Sequence, residues 1–111
     1  MSNKLFLIGI NEYKHKPLNS CVKDVQDFKQ ALLDRYDFEL NDIYEVYDND
    51  ATLKNIYDAL DKYVMTLKES DNLIIYYSGH GSYNQNLEMG YWVPIDGTKG
   101  DSSYLSNQTL V

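Results

Sequence analysis

The most informative segment of this sequence is Leu73-Ile74-Ile75-Tyr76-Tyr77-Ser78-Gly79-His80-Gly81. Its first five residues are apolar or aromatic without alternation, which is typical of a strand covered on both faces of a parallel sheet. His80 follows this strand directly, between two glycines. Because ligands of parallel sheets bind beyond the carboxyl ends of the strands, His80 is predicted to lie in a functional site.

Two further strands are predicted upstream. Residues Leu5–Ile10 form a continuous apolar run, and residues Ile43–Tyr47 form a shorter run that alternates in part. If the first strand lies between the other two, the loop that follows it, Asn11–Asn19, meets His80 at one edge of the sheet. The sequence therefore nominates His80 and this loop as the site.

Two amphipathic helices are predicted between the strands. Cys21, Val25, Phe28 and Leu32 recur at helical spacing, with Ser20 as the cap and an end near Tyr36. A longer apolar stripe covers residues 53–67, after a turn at residues 48–50 that offers a cap. This strand–helix order predicts an α/β fold with a parallel sheet and right-handed crossovers.

The sequence after His80 is less regular. A polar loop is predicted over Ser82–Glu88, a short strand over Tyr91–Ile95, and a turn-like tail from Asp96.

Composition restricts the class of protein. The 111 residues are 43% apolar and 24% charged, which suits one globular domain or part of one. The net charge of −7 argues against binding to nucleic acid or to anionic membranes. Leu5–Ile10 is too short for a signal sequence or a membrane span, and the single cysteine, Cys21, excludes an internal disulfide. A cytoplasmic protein is predicted, with neither nucleic-acid nor membrane partners.

His80 and its neighbours could carry chemistry. A histidine titrates near neutral pH and serves as a general base, and the N–H group of Gly81 could stabilise an oxyanion. The competing interpretation is a loop histidine that packs on Tyr76 or Trp92. The local pattern alone leaves both interpretations open.

Four short segments stand out in order along the chain: Gly9-Ile10-Asn11-Glu12-Tyr13, Leu18-Asn19-Ser20-Cys21-Val22-Lys23-Asp24, Tyr76-Tyr77-Ser78-Gly79-His80-Gly81 and Val93-Pro94-Ile95-Asp96. Together they resemble the motifs of the caspase/metacaspase superfamily. The resemblance covers Lys4 to about Gly97. Ser20 and Lys23 depart from the metacaspase pattern, which has glycine and asparagine there.

The resemblance implies a three-layer αβα caspase-like sandwich, of which residues 1–111 are the N-terminal part of a single domain. It also implies a cysteine endopeptidase that hydrolyses a protein or peptide substrate with a Cys–His dyad. His80 would be the catalytic histidine and Gly81 would supply an oxyanion N–H group. Asn19, Ser78 and Gly79 are expected to contact the substrate.

The nucleophile of this family follows the histidine, and no cysteine follows His80 here. The isolated chain is therefore expected to be inactive, with the remainder of its own catalytic domain as its partner. Two alternatives stay open: a non-catalytic pseudo-peptidase or assembly module, and a papain-like pair of Cys21 and His80. Against that pair, Cys21 begins an apolar stripe and is expected to face the core.

No metal or cofactor is predicted. His15 has no second histidine at ligand spacing, and acidic residues are sparse after His80. The sequence leaves open which substrate residue is preferred before the cleaved bond. An arginine would be expected to bind a substrate aspartate, but the only arginine, Arg35, lies on the first helix.

Overall fold

The computed structural model describes residues 3–86, 89–98 and 104–106. Among these residues, no helix has the length and apolar character needed to cross a bilayer. Short 3-10 helices cover Leu40–Asp42 and Asp48–Asp50. The main elements are β1 (Asn3–Gly9), α1 (Cys21–Arg35), β2 (Ile43–Tyr47), α2 (Leu53–Thr66), β3 (Asn72–Ser78), β4 (Gly81–Asn84), β5 (Met89–Trp92) and β6 (Leu105–Ser106).

The first three strands form a parallel sheet in the order β2-β1-β3. This confirms the predicted sheet and places β1 at its centre. At the carboxyl edge, Gly9 pairs with both Tyr47 and Ser78. The segments that follow the three strands therefore leave the sheet side by side, which brings His80 next to the loop after β1.

Strand β1 is apolar throughout because both of its faces are covered. Leu5 and Leu7 pack with Val25 of α1, whereas Phe6 and Ile8 pack with Ile56 of α2. All six side chains are fully buried. The two helices thus lie on opposite faces of the sheet, which gives the three layers of the predicted αβα sandwich in incomplete form.

A second, antiparallel sheet in the order β4-β5-β6 follows His80. The prediction of a loop from Ser82 is wrong, since β4 runs to Asn84; residues 87 and 88 lie outside the described residues. The predicted strand Tyr91–Ile95 is shifted, since β5 is Met89–Trp92, and the tail contains the two-residue strand β6. Strand β4 escaped prediction because its residues are polar or small, and pairing with β5 rather than hydrophobicity holds it in place.

Helix α2 is capped by two residues that lie far apart in the sequence. The Thr52 hydroxyl accepts a hydrogen bond from the Asn55 N–H (3.1 Å), and Asp96 Oδ1 accepts one from the Leu53 N–H (2.9 Å). The predicted cap at residues 48–50 is wrong, because that segment forms a 3-10 helix that precedes Thr52. Asp96 thereby ties the segment after β5 to the start of α2.

Candidate active site

His80 lies where the sequence places it, just beyond the carboxyl end of β3. Its ring is half-buried, and Nε2 lies 2.6 Å from the carbonyl oxygen of Lys16. The ring packs on Tyr13, with 4.3 Å between the ring centroids, rather than on Tyr76 or Trp92. Because a carbonyl oxygen only accepts hydrogen bonds, Nε2 must carry the proton, and in the neutral ring Nδ1 then holds the basic lone pair.

Lys16 presents this carbonyl from an unusual backbone conformation. Its φ is 53°, in the left-handed region that side-chain-bearing residues seldom occupy. Pro17 follows it and disfavours the right-handed helical alternative for Lys16. A strained, non-glycine residue thus contacts the histidine through its main chain, as strained residues at functional sites commonly do.

Asn11 closes the loop that carries Lys16. Its carbonyl oxygen accepts a hydrogen bond from the Leu18 N–H (2.7 Å), which joins the two ends of the loop. Its side-chain Oδ1 accepts from the Cys21 N–H (2.8 Å), at the first turn of α1. Ser20, the predicted cap, occupies the N-cap position but makes no capping bond with its side chain. Asn11 therefore performs the capping that the sequence assigned to Ser20.

Asp48 fixes the same loop from the end of β2. Its Oδ1 accepts hydrogen bonds from the N–H groups of Asn11 (2.7 Å) and Glu12 (3.0 Å). Asp48 itself has a left-handed φ of 47°, which acidic and amide residues tolerate better than most. The loop is consequently attached to two neighbouring elements before it reaches His80.

Two tyrosine hydroxyls enclose the backbone of His80. Tyr13 Oη accepts a hydrogen bond from the His80 N–H (2.9 Å) and donates to the Val93 carbonyl (2.8 Å). Tyr77 Oη donates to the His80 carbonyl (2.5 Å), and the two hydroxyls lie 3.2 Å apart. Burial raises the pKa of both Tyr13 and Tyr77 above the ordinary value, so both hydroxyls stay protonated at neutral pH.

The two glycines beside His80 differ in their surroundings. A Cβ atom at Gly79 would lie 2.5 Å from the Tyr13 hydroxyl and 2.7 Å from that of Tyr77. At Gly81 the nearest atom to such a Cβ would be the Tyr91 carbonyl oxygen, at 3.6 Å, which is an ordinary contact. Close approach of the tyrosines therefore requires glycine at position 79 and not at position 81.

His80 opens onto a cleft of about 900 Å³. Gly81 lines it beside His80, and the exposed Lys14 and Lys16 place two cationic side chains along it, with His15 between them. Asp96 also lines the cleft, and its carboxylate accepts a hydrogen bond from the Leu53 N–H. The region around His80 is thus locally basic although the chain carries a net charge of −7.

The remaining predicted site residues are placed away from this cleft. Asn19 is exposed, with its Oδ1 bonded to the Ser20 hydroxyl (3.1 Å), and neither it nor Ser78 or Gly79 lines the cleft. Their contact with substrate stays a prediction. Ser78 ends β3, and its carbonyl accepts from the Ile10 N–H (3.0 Å).

Cys21 lies at the start of α1 and is half-buried. Its place in the apolar stripe predicted that it would face the core, so it is more exposed than expected. In the described parts of the chain, its thiol makes no hydrogen bond with His80. Among the described residues, no group of three or more His, Cys, Asp or Glu side chains could hold a metal ion.

Sequence reasoning missed the partners of His80. Tyr13 is part of the Gly9–Tyr13 motif, but nothing local shows that its hydroxyl reaches the His80 backbone. The carbonyl of Lys16 has no sequence signature beyond its place before Pro17. Only the tertiary structure brings these groups together.

Metacaspases are similar in sequence to this chain. Metacaspase-6 of Arabidopsis thaliana is 40% identical over 88 residues, which are 74% of this chain and 24% of that protein. Metacaspase-1 of Schizosaccharomyces pombe is 32% identical over 92 residues, 77% of this chain and 22% of that protein. The chain thus spans about a quarter of the length of these relatives.

A crystal structure of a protein from Geobacter sulfurreducens shares the fold. It superposes with a TM-score of 0.76 at 22% identity, covering 99% of this chain and 43% of that one. A family model described as the caspase domain matches residues 3–110. With that match across nearly its whole length, the chain belongs to the caspase domain family.

Proposed function

We propose that this chain is the histidine-bearing portion of a cysteine endopeptidase, in which His80 is the general base and general acid. The contact between His80 Nε2 and the Lys16 carbonyl carries the proposal. It assigns the proton to Nε2 and leaves the Nδ1 lone pair to accept a proton from a thiol. The same carbonyl would stabilise the imidazolium that forms.

The proposed reaction balances protons within this arrangement. Nδ1 takes the thiol proton, the thiolate attacks the peptide carbonyl carbon, and a tetrahedral oxyanion forms. Collapse breaks the C–N bond while Nδ1–H protonates the departing amine. Nδ1 then takes a proton from a water molecule, the resulting hydroxide attacks the thioester carbon, and the C–S bond breaks as the sulfur recovers that proton. The Gly81 N–H is the proposed oxyanion donor, because Gly81 lines the cleft beside His80.

The thiol in this proposal comes from outside the 111 residues. The sequence contains one cysteine, Cys21, whose backbone N–H is bonded to Asn11. The ring of His80 bonds instead to the Lys16 carbonyl. A papain-like Cys21–His80 pair is the competing hypothesis, and it requires the Cys21 thiol to be reactive in the folded protein.

Peptidase activity tests the proposal in the protein expressed from its complete reading frame. We expect iodoacetamide-sensitive cleavage of peptide substrates, assayed as a series with Asp, Arg or Lys before the cleaved bond. His80→Ala should lower kcat by about 100-fold or more, the usual contribution of a general base. His15→Ala is the matched control, because His15 is the other histidine and lines the same cleft.

A substitution at Cys21 distinguishes a thiol from outside the 111 residues from the papain-like Cys21–His80 pair. Cys21→Ser should leave cleavage intact if the thiol lies elsewhere, and should abolish it if Cys21 is the nucleophile. Full activity in His80→Ala would refute the proposal. A wild-type protein that folds and cleaves none of the series would favour the non-catalytic alternative, a pseudo-peptidase or assembly module.

A further inference from the structure

We propose that the hydroxyls of Tyr13 and Tyr77 are positioning groups that hold His80 for catalysis, acting on its main chain rather than on substrate. This inference rests on the proposed function of His80. It goes beyond that function because it assigns a role to two residues whose hydroxyls bond to the main chain of His80.

The two hydroxyls hold opposite sides of the same residue. Tyr13 accepts the His80 N–H at 2.9 Å, and Tyr77 donates to the His80 carbonyl at 2.5 Å. These bonds fix the peptide planes on both sides of His80, and with them the direction of its Cα–Cβ bond. The ring itself is then left with two further restraints, the Lys16 carbonyl and the face of Tyr13.

The loop after β1 therefore reaches His80 at two points. Tyr13 binds its backbone and Lys16 binds its ring, while the Leu18 N–H closes the loop on the Asn11 carbonyl. Because both contacts come from one closed loop, loss of the Tyr13 hydroxyl should also loosen the contact between Lys16 and the ring.

Strand β5 is connected to the same hydroxyls. The carbonyl of Val93, just beyond β5, accepts a hydrogen bond from Tyr13 (2.8 Å) and lies 3.2 Å from the Tyr77 hydroxyl, and the Val93 N–H donates to the His80 carbonyl (3.1 Å). The two hydroxyls thus hold the backbone of His80 between the end of β3 and the segment that follows β5.

The hydroxyls, not the rings, are the groups that this role requires. Tyr77 stacks on Trp92 with 4.5 Å between centroids and 4° between planes, and phenylalanine would keep that contact. Burial also keeps both phenols protonated, so that each can donate as well as accept. Tyrosine-to-phenylalanine changes therefore remove the proposed function while preserving the packing.

Steady-state kinetics on the complete protein provide the first test. Tyr13→Phe should lower kcat about 10- to 100-fold, as small misplacements of a catalytic group do. KM should stay within about twofold, because the Tyr13 hydroxyl is engaged with the His80 N–H and the Val93 carbonyl. Tyr83→Phe is the matched control, since Tyr83 is 62% exposed on β4, and it should keep wild-type kinetics. Unchanged kcat in Tyr13→Phe, or a loss that only follows the folded fraction measured by circular dichroism, would overturn the inference.

Imidazole NMR provides a second test that does not require activity. With nitrogen-15 histidine, His80 should show protonated Nε2 in the neutral wild-type ring, and Tyr13→Phe should give a mixture of tautomers. His15 serves as the internal reference. An unchanged His80 tautomer would overturn the inference. If the wild-type protein proves inactive, the proposed function fails, but a tautomer shift in Tyr13→Phe would still support the positioning role.

Discussion

Gly79→Ala should be among the most damaging small substitutions in this chain. The new methyl group would lie 2.5 Å from the Tyr13 hydroxyl and 2.7 Å from the Tyr77 hydroxyl, so both must move. Overpacking of this kind costs about 1–3 kcal/mol. The displaced hydroxyls also lose bonds to His80 and Val93, at about 1 kcal/mol each. With all three bonds lost, we expect the free energy of unfolding to fall by about 4–6 kcal/mol.

Urea denaturation followed by circular dichroism measures this loss, and Gly81→Ala is the control. A methyl group at Gly81 meets only an ordinary contact at 3.6 Å, so its cost should stay below about 0.5 kcal/mol. Adding Tyr13→Phe to Gly79→Ala removes the closer clash, so the double variant should be more stable than additivity predicts by about 0.5–1 kcal/mol. Equal costs for the two alanine variants would refute the reasoning.

Two further predictions concern the loop after β1 and the buried phenols. Asn11→Ala removes the acceptor for the Cys21 N–H and should lower the free energy of unfolding by about 1–2 kcal/mol in urea titrations. Ser20→Ala should change that free energy little, because the Ser20 side chain makes no capping bond. A larger loss in Ser20→Ala than in Asn11→Ala would contradict the capping assignment. Burial raises the pKa of Tyr77 above 10.0, its value in the unfolded chain, so the folded state keeps a proton that the unfolded chain releases as the pH rises. Stability should therefore hold below about pH 10 and fall above it, and Tyr77→Phe should lose less stability between about pH 9 and pH 11, measured by urea titration at each pH. An equally steep alkaline loss in Tyr77→Phe would show that other groups cause it.

The fold could be predicted as far as hydrophobic pattern determines it. The apolar runs at β1 and β3 and the helical stripes of α1 and α2 gave elements within a few residues of those observed. The pattern fails at β4, where polar residues pair with β5 and no periodicity marks a strand. The pattern also fails to predict the helix caps. Asn11 caps α1 and Asp96 caps α2, and each lies far in the sequence from the first residue of the helix that it caps.

The candidate site was predictable at His80 and not beyond it. Sheet geometry places a residue that follows β3 at the carboxyl edge, whatever its side chain contacts. The Lys16 carbonyl and the hydroxyls of Tyr13 and Tyr77 reach His80 only through tertiary packing. A main-chain acceptor leaves no trace in residue identity, so no inspection of side-chain types would have found it.

That main-chain acceptor also limits what mutational scanning can reveal. Every amino acid carries a carbonyl, so no point substitution at position 16 deletes the group that bonds His80 Nε2. Alanine scanning at Lys16 would report only on the exposed side chain and not on the carbonyl. The position is sensitive instead to backbone geometry, to its φ of 53° and to the ring of Pro17 that follows. Replacement of the carbonyl oxygen by sulfur, a thioamide at the Lys16–Pro17 bond, gives a weaker acceptor while keeping the ring of Pro17, and it is the alteration that would address the acceptor directly.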